Sequence, residues 1–294
     1  MPSLKDIRSR IESTKNTQQI TKAMKLVSAA KLRKAQHQIV NMRPYAQSLL
    51  KVIANIAVTA RVSHPLIRPK SEVKKVLLLV ITSDRGLCGG FNAQVIKFTD
   101  AYLKANKEKY ETIDFLFIGR RAADFFAKRK LHVLETITRL DKDISYELAS
   151  RIAQKVMHFY NDEHYDEIRL IYNEFKSAIA QKVVCETLLP VDLEKQTLSL
   201  ATEPTNHFAM DLIFEPEPEK IIDQLLVKHF SSQVYRCMAE SVASEHGARM
   251  TAMENASNNA REVLNRLTLT YNKLRQEKIT TELIEIVSGA EALK

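Results

Sequence analysis

EKIIDQLLVKHFSSQVYRCMAESVASEHGARMTAMENASNNAREVLNRLTLTYNKLRQEKITTELIEIV, residues Glu219–Val287, contains no proline and a single glycine, Gly247. Almost all of it is good helix former. A helix over this stretch runs roughly 100 Å at 1.5 Å per residue, several times an ordinary helix of three to four turns. A domain of this size cannot wrap such a rod in its own core. The helix must pair with another long helix or stand inside another protein. The opposite end of the 294-residue chain offers a mate, because Ser3 to Arg43 also lacks Pro and Gly. The two ends read as a rod, antiparallel if they pair.

Both segments carry seams at alternating 3 and 4 spacing. The first runs Leu4, Ile7, Ile11, Thr14, Gln18, Thr21, Lys25, Ser28, Leu32, Ala35, Ile39, Met42, with Ile20, Met24 and Val27 as an offset stripe. The second runs Ile222, Leu225, His229, Ser232, Arg236, Ala239, Ala243, His246, Met250, Met253, Ser257, Ala260, Leu264, Leu267, Tyr271, Leu274. Small residues in its middle let backbones approach closely, and Met fills irregular gaps. Polar seam positions weaken an ordinary coiled coil but specify register or partners. Here Thr14, Gln18, Thr21 and Lys25, with Arg275, Gln276, Thr280 and Glu282, imply an end that is solvated or surrounded by other proteins. Ser3 is the expected N-cap of the first helix, with Asp6 favouring its N-terminus. Pro44 predicts a break or kink near Arg43.

The middle of the chain changes character. Val76–Thr82 is an aliphatic run of the kind buried on both faces of a sheet. A glycine-rich loop, Ser83–Gly90, leads into a helix over Asn92–Ala105. Strands are expected at Phe115–Ile118, His132–Ile137, Glu167–Tyr172 and Lys182–Thr187, with helices over Arg120–Lys130 and Ser145–Tyr160. Strand–helix alternation implies a small, mostly parallel α/β sheet. The organisation expected is an N-terminal helix over 1–60, an α/β domain over 74–210 and a C-terminal helix over 214–288.

Composition narrows the chemistry. The net charge is +9, and twelve basic residues between Lys5 and Arg61 stand against Asp6 and Glu12 alone. A basic helix suits an acidic protein surface, nucleic acid or anionic lipid; a solvated basic face is the plainer reading. Three scattered cysteines, Cys88, Cys185 and Cys237, show no CxxC and fit a reducing compartment. No run approaches the ~20 apolar residues of a membrane span, and no signal segment opens the sequence, so a cytoplasmic location is expected.

TSDRGLCGGFN, Thr82–Asn92, holds three of the six glycines and follows a buried strand. Such a loop at a helix N-terminus can bind phosphate. Gly86-x-x-Gly89-Gly90 is neither GxGxxG nor GxxxxGK[ST], however, and the acidic residue expected at the tip of the second strand is absent, with Gly119-Arg120 standing there. Arg85, Gly86, Cys88, Gly89 and Gly90 are therefore assigned to a structural turn or protein contact, with no cofactor. Cys88 lacks an identifiable His partner for nucleophilic work. The eight histidines show no metal spacing.

Lys5–Gln36, Thr82–Asn92, Ser232–Met253 and Tyr271–Leu293, in that order, resemble the gamma subunit of the bacterial F-type ATP synthase. The resemblance spans essentially the whole chain. It implies a long antiparallel coiled coil of the terminal helices plus a small Rossmann-like α/β domain. It further implies a non-catalytic rotor shaft inside an alpha/beta hexamer, with the epsilon subunit and the membrane c-ring at its foot, on the cytoplasmic face of the inner membrane. By match to the family's motifs, Met24, Lys25, Arg275, Gln276, Thr280, Glu282 and Glu285 would contact the hexamer. Arg43, Tyr45, Phe214 and Glu215 would lie at the foot. The inserted cysteine pair of photosynthetic members has no counterpart here. Two other readings compete: a basic coiled-coil nucleic-acid-binding protein, and an α/β enzyme centred on Gly86–Gly90.

Overall fold

The computed structural model describes residues 3–59, 64, 66–67, 72–129, 131–138, 144–162, 165–191 and 215–291. In chain order the elements are α1 (Leu4–Thr59), β1 (Lys75–Ile81), α2 (Phe91–Asn106), β2 (Thr112–Ile118), α3 (Arg120–Phe126), β3 (Val133–Ile137), α4 (Tyr146–Asp162), β4 (Glu167–Phe175), β5 (Gln181–Leu189) and α5 (Pro218–Glu291). The aliphatic run is the central strand. Every residue of KVLLLVI after Lys75 is buried, and β1 lies between β2 and β4, parallel to both. The sheet order is β3-β2-β1-β4-β5, with β5 antiparallel to β4.

Alternation along β1 builds two cores. Leu77, Leu79 and Ile81 pack with Ile53 of α1, Val156 of α4 and Phe230 of α5. Val76, Leu78 and Val80 pack with Val95 of α2 and Phe126 of α3. On that second face Phe115, Phe117 and Phe126 stack at centroid distances of 5.5 to 6.3 Å.

The chain falls into two compact units: Met1–Ala29 with Arg249–Lys294, and Ala30–Ala248. Both long helices therefore contribute to each unit. In the first, Lys25 Nζ meets Glu254 Oε1 at 2.6 Å. Ile7, Thr21 and Ser28 are buried from α1, and Met253, Ser257 and Ala260 from α5. With Lys25 opposite Glu254, an antiparallel pair sets Leu4 opposite position 275. Burial on α5 does end at Leu274.

In the second unit the predicted interruption at Pro44 does not break α1, which runs through it. A proline removes one backbone bond and crowds the preceding turn. Burial of Ile39 on one side and of Leu49, Leu50 and Ile53 on the other holds the helix across that fault. The helix expected over Arg120–Lys130 ends earlier, at Phe126.

Arg236 of α5 ties the helix to the sheet edge. It donates to Glu186 Oε2 at 2.6 Å, to the Tyr172 hydroxyl at 3.1 Å and to Glu240 Oε1 at 3.2 Å. Beside it, burial pushes the Cys237 thiol up to about 12, which leaves it protonated and inert. Gly119 joins β2 to α3 at φ 104, where an added Cβ would stand 2.0 Å from the Thr82 carbonyl oxygen. Gly119→Ala is expected to lose about 2–4 kcal/mol of stability in urea unfolding; a loss within about 0.5 kcal/mol would contradict the steric reading.

His229 is 1% exposed, and neither ring nitrogen has a partner among the described residues. Burial, helped by the Arg236 charge, lowers its pKa from 6.5 to about 4. The folded chain thus keeps it neutral while the unfolded chain protonates it. Its contribution is full above pH 6.5 and is lost as pH falls from there toward 4, by roughly 3 kcal/mol at most. His229→Leu should flatten the corresponding part of the stability–pH curve. An unchanged slope between pH 6.5 and 4.5 would mean that other groups produce it.

Candidate partner-contact surfaces

Beyond Leu274, α5 has no mate among the described residues. Residues 275–291 form roughly 25 Å of helix, and each of 275–290 is exposed. Arg275, Gln276, Thr280, Glu282 and Glu285 all lie here. The Thr280 hydroxyl is satisfied within the helix, donating to Gln276 O at 2.9 Å. Glu282 stands 3.6 Å from Lys278, a single helical turn away.

The polar residues are only half of this surface. Ile279, Leu283, Ile286 and Val287 are 49%, 57%, 67% and 60% exposed. Their spacing of i, i+4, i+7 and i+8 puts them on one face. The sequence reading missed that stripe, although its spacing is visible directly after the last seam residue.

In the same unit Met24 is half-buried, and Lys25 is engaged with Glu254. The offset stripe proves to be largely outward: Ile20 and Val27 are exposed, as is Leu26. The basic residues Lys5, Arg8, Arg10, Lys15 and Lys22 also point outward, away from the seam.

In the second unit the described residues assigned to the foot lie on two stretches, Arg43 and Tyr45 on α1 and Glu215 just before α5. Tyr45 is half-exposed, and its pKa is raised by burial and by the nearby Tyr146. Tyr146 in turn stacks edge-on against Tyr235, with centroids 6.1 Å apart. Arg43 is exposed on the same stretch of α1. Glu215 is exposed just before the start of α5, some twenty residues before Tyr235. Close to that start, His64 Nε2 meets Asp223 Oδ1 at 2.7 Å, and the Leu66 amide donates to His64 Nδ1 at 3.1 Å. Phe214 lies outside the described residues.

The glycine-rich loop closes on itself. Asn92 Oδ1 accepts from the Ser83 amide at 3.0 Å, and Asn92 Nδ2 donates to Ser83 Oγ at 2.8 Å and to Cys88 Sγ at 3.2 Å. Cys88 is 2% exposed. The interior that a phosphate would need is filled by the loop's own side chains. Gly86 lies under the Arg121 guanidinium, and Gly89 has φ 57. Leu87, a non-glycine residue, has φ 61, which costs a leucine about 1–2 kcal/mol. Its side chain is 66% exposed beside exposed Arg85.

The ATP synthase family profile matches residues 3–293. The chain belongs to the ATP synthase gamma family. The ATP synthase gamma chain of Bdellovibrio bacteriovorus is 68% identical over 294 residues, covering 100% of both chains. That of Geobacter metallireducens is 44% identical, again over 100% of both. Among solved structures, a chain of the Tetrahymena thermophila mitochondrial ATP synthase central stalk and c-ring is 30% identical, with a TM-score of 0.61. It covers 81% of this chain and 99% of that one. A chain of the Euglena gracilis mitochondrial ATP synthase, 24% identical, covers 99% and 94% at a TM-score of 0.67 and supports the fold alone. As a gamma-family member the protein is a non-catalytic central-stalk subunit, and the nucleic-acid reading of its basic helix is left without support. No helix among the described residues is long and apolar enough to cross a membrane.

The exposed tip makes a direct prediction for the free chain. Replacing Ile279, Leu283 or Ile286 by Ser should change its unfolding free energy by less than about 0.5 kcal/mol each, because no burial is lost. A larger loss in urea unfolding would show the stripe to be packed in solution.

Proposed function

We propose that this chain is the turning shaft of a proton-translocating ATP synthase on the cytoplasmic face of a bacterial inner membrane. In this reading residues 275–291 enter the ring of alternating alpha and beta subunits. Rotation presents different faces of the shaft to the three catalytic beta subunits in turn, driving synthesis or hydrolysis of ATP. The foot bears on epsilon and the c-ring through exposed Arg43, Tyr45 and Glu215. The observation that carries the reading is the single-helix tip with an apolar face. A helix end with four large exposed apolar side chains on one stripe needs an apolar surround.

The charged residues refine the fit. Arg275, Gln276, Thr280, Glu282 and Glu285 would meet polar loops of the hexamer at the mouth of that surround. Met24 with Lys25, and the outward basic residues of α1, would face acidic beta-subunit segments, where opposite charge acts at short range. Arg85 and Leu87 give the α/β domain a contact of its own, and the strained Leu87 backbone is retained for it.

Reconstitution tests the proposal. Purified chain mixed with alpha and beta subunits from the same source should co-elute with them and confer chain-dependent ATPase activity. Absence of any complex with folded alpha and beta would overturn the shaft reading. Arg275→Ala combined with Gln276→Ala should preserve assembly but lower ATP synthesis at fixed driving force by roughly 2- to 10-fold, as expected for about 0.5–1.5 kcal/mol of lost hydrogen bonding. Synthesis at the parental rate would remove those two residues from the contact.

A further inference from the structure

Asn173 is fully buried near the C-terminal end of β4, and its partners belong to two other elements. Its side-chain Nδ2 donates to the carbonyl of Phe91 at 3.3 Å. Phe91 is the first residue of α2, and its own amide donates to Cys88 O at 3.2 Å inside the glycine-rich loop. On the other side, the carbonyl of Asn173 accepts from Ser244 Oγ of α5 at 3.1 Å. Ser244, Asn173, Phe91 and Cys88 thus form an unbroken polar chain from the long helix to the loop.

Two features mark this chain as more than incidental packing. Helix serines commonly turn their hydroxyl back onto their own helix, as Ser231 does to Val227 O and Ser232 to Lys228 O, both at 2.8 Å. Ser244, equally buried, reaches across to β4 instead. One turn further along α5, Gly247 admits the β4–β5 hairpin so closely that an added Cβ would stand 3.1 Å from Ala178 O. The sheet edge is therefore seated on the helix, and Asn173 is the residue that passes this seating on to the loop.

We propose that Asn173 is a positioning residue that fixes the Ser83–Gly90 loop to α5, so that exposed Arg85 and Leu87 keep one angular position about the helix. Its role in transmission rests on the shaft reading above: a loop held this way turns with the helix under load, and a released loop lags behind it.

The positioning is tested in the isolated chain by thiol labelling, quantified at each cysteine by mass spectrometry. In Asn173→Ala and separately in the milder Ser244→Ala, Cys88 should react at least roughly ten-fold faster, the mark of local opening, with Cys237 unchanged. Thr99→Ala removes a buried hydroxyl that bonds Val95 O of its own helix and should change neither. Unaltered Cys88 labelling in both folded variants would overturn the proposal. Transmission is tested in the assembled, membrane-bound complex, where both variants should hydrolyse ATP within about two-fold of the parent rate while pumping fewer protons per ATP. Faster Cys88 labelling with an unchanged proton-to-ATP ratio would overturn the transmission role. A parent chain that fails to assemble would instead sink the shaft reading, leaving Cys88 labelling to decide whether Asn173 positions the loop.

Discussion

A helix buried on nearly every side must satisfy its polar groups without water, and from His229 to Ser244 that constraint governs the second unit. No residue of α5 in this stretch is exposed. Packing α1 on one side and the sheet on another leaves no fully exposed strip for the polar residues, only the half-buried line of Gln233, Arg236 and Glu240. The sequence answers in two ways. Ser231 and Ser232 fold their hydroxyls onto their own helix. Arg236 and Ser244 take partners from the sheet. The second solution ties the α/β domain to the helix, since a half-buried guanidinium left unpaired would cost more than one held in an ion pair with Glu186. His229 is the exception. It stays neutral and without a partner among the described residues, and the unit loses stability as acid protonates the unfolded chain.

The same constraint separates what could be read from the sequence from what could not. The seams were legible because they depend on spacing alone. Each seam residue of α1, from Leu4 to Met42, is buried or half-buried. The polar members fit because they are short: Thr14 bonds Arg10 O and Thr21 bonds Gln18 O within the helix. The sheet was legible because β1 is buried on both faces and reads as an uninterrupted aliphatic run. Pro44 does not break α1 because burial on both sides of it holds the helix against its local backbone preference. Arg236 and Asn173 were unreadable as connectors. Both roles depend on which strand lies beside α5, and periodicity says nothing of that. The loop lay between these cases. Its glycines announced a tight turn, but only the hydrogen bonds of Asn92 show that its interior is full.

The tip reverses the logic of the rest of the chain. The seams of α1 and the apolar face of α4 find partners within the protein, whereas Ile279, Leu283, Ile286 and Val287, like Ile20 and Val27 of α1, stay exposed. Charged residues are interleaved with them: Arg275, Glu277, Lys278, Glu282 and Glu285 share the same turns. That interleaving limits self-association of the free chain, which a longer uninterrupted patch would promote. A narrow stripe flanked by both signs of charge suits insertion into a fitted sleeve better than docking on a flat surface.

Such a stripe also suits a part that turns. Hydrogen bonds and ion pairs are directional, and a shaft held by them would have to break a set at every angular step, each worth about 0.5–1.5 kcal/mol or more. Apolar contact is non-directional and scales with area removed from water, so the energy of a smooth apolar tip in an apolar sleeve changes little with angle. Directional contacts belong instead where angle has to be sensed. The charged residues flanking the stripe and the outward basic face of α1 fit that role, as do Arg85 and Leu87 on their braced loop. In the proposed shaft the surface would thus divide by physics: apolar where it slides, polar and rigidly held where its orientation is felt.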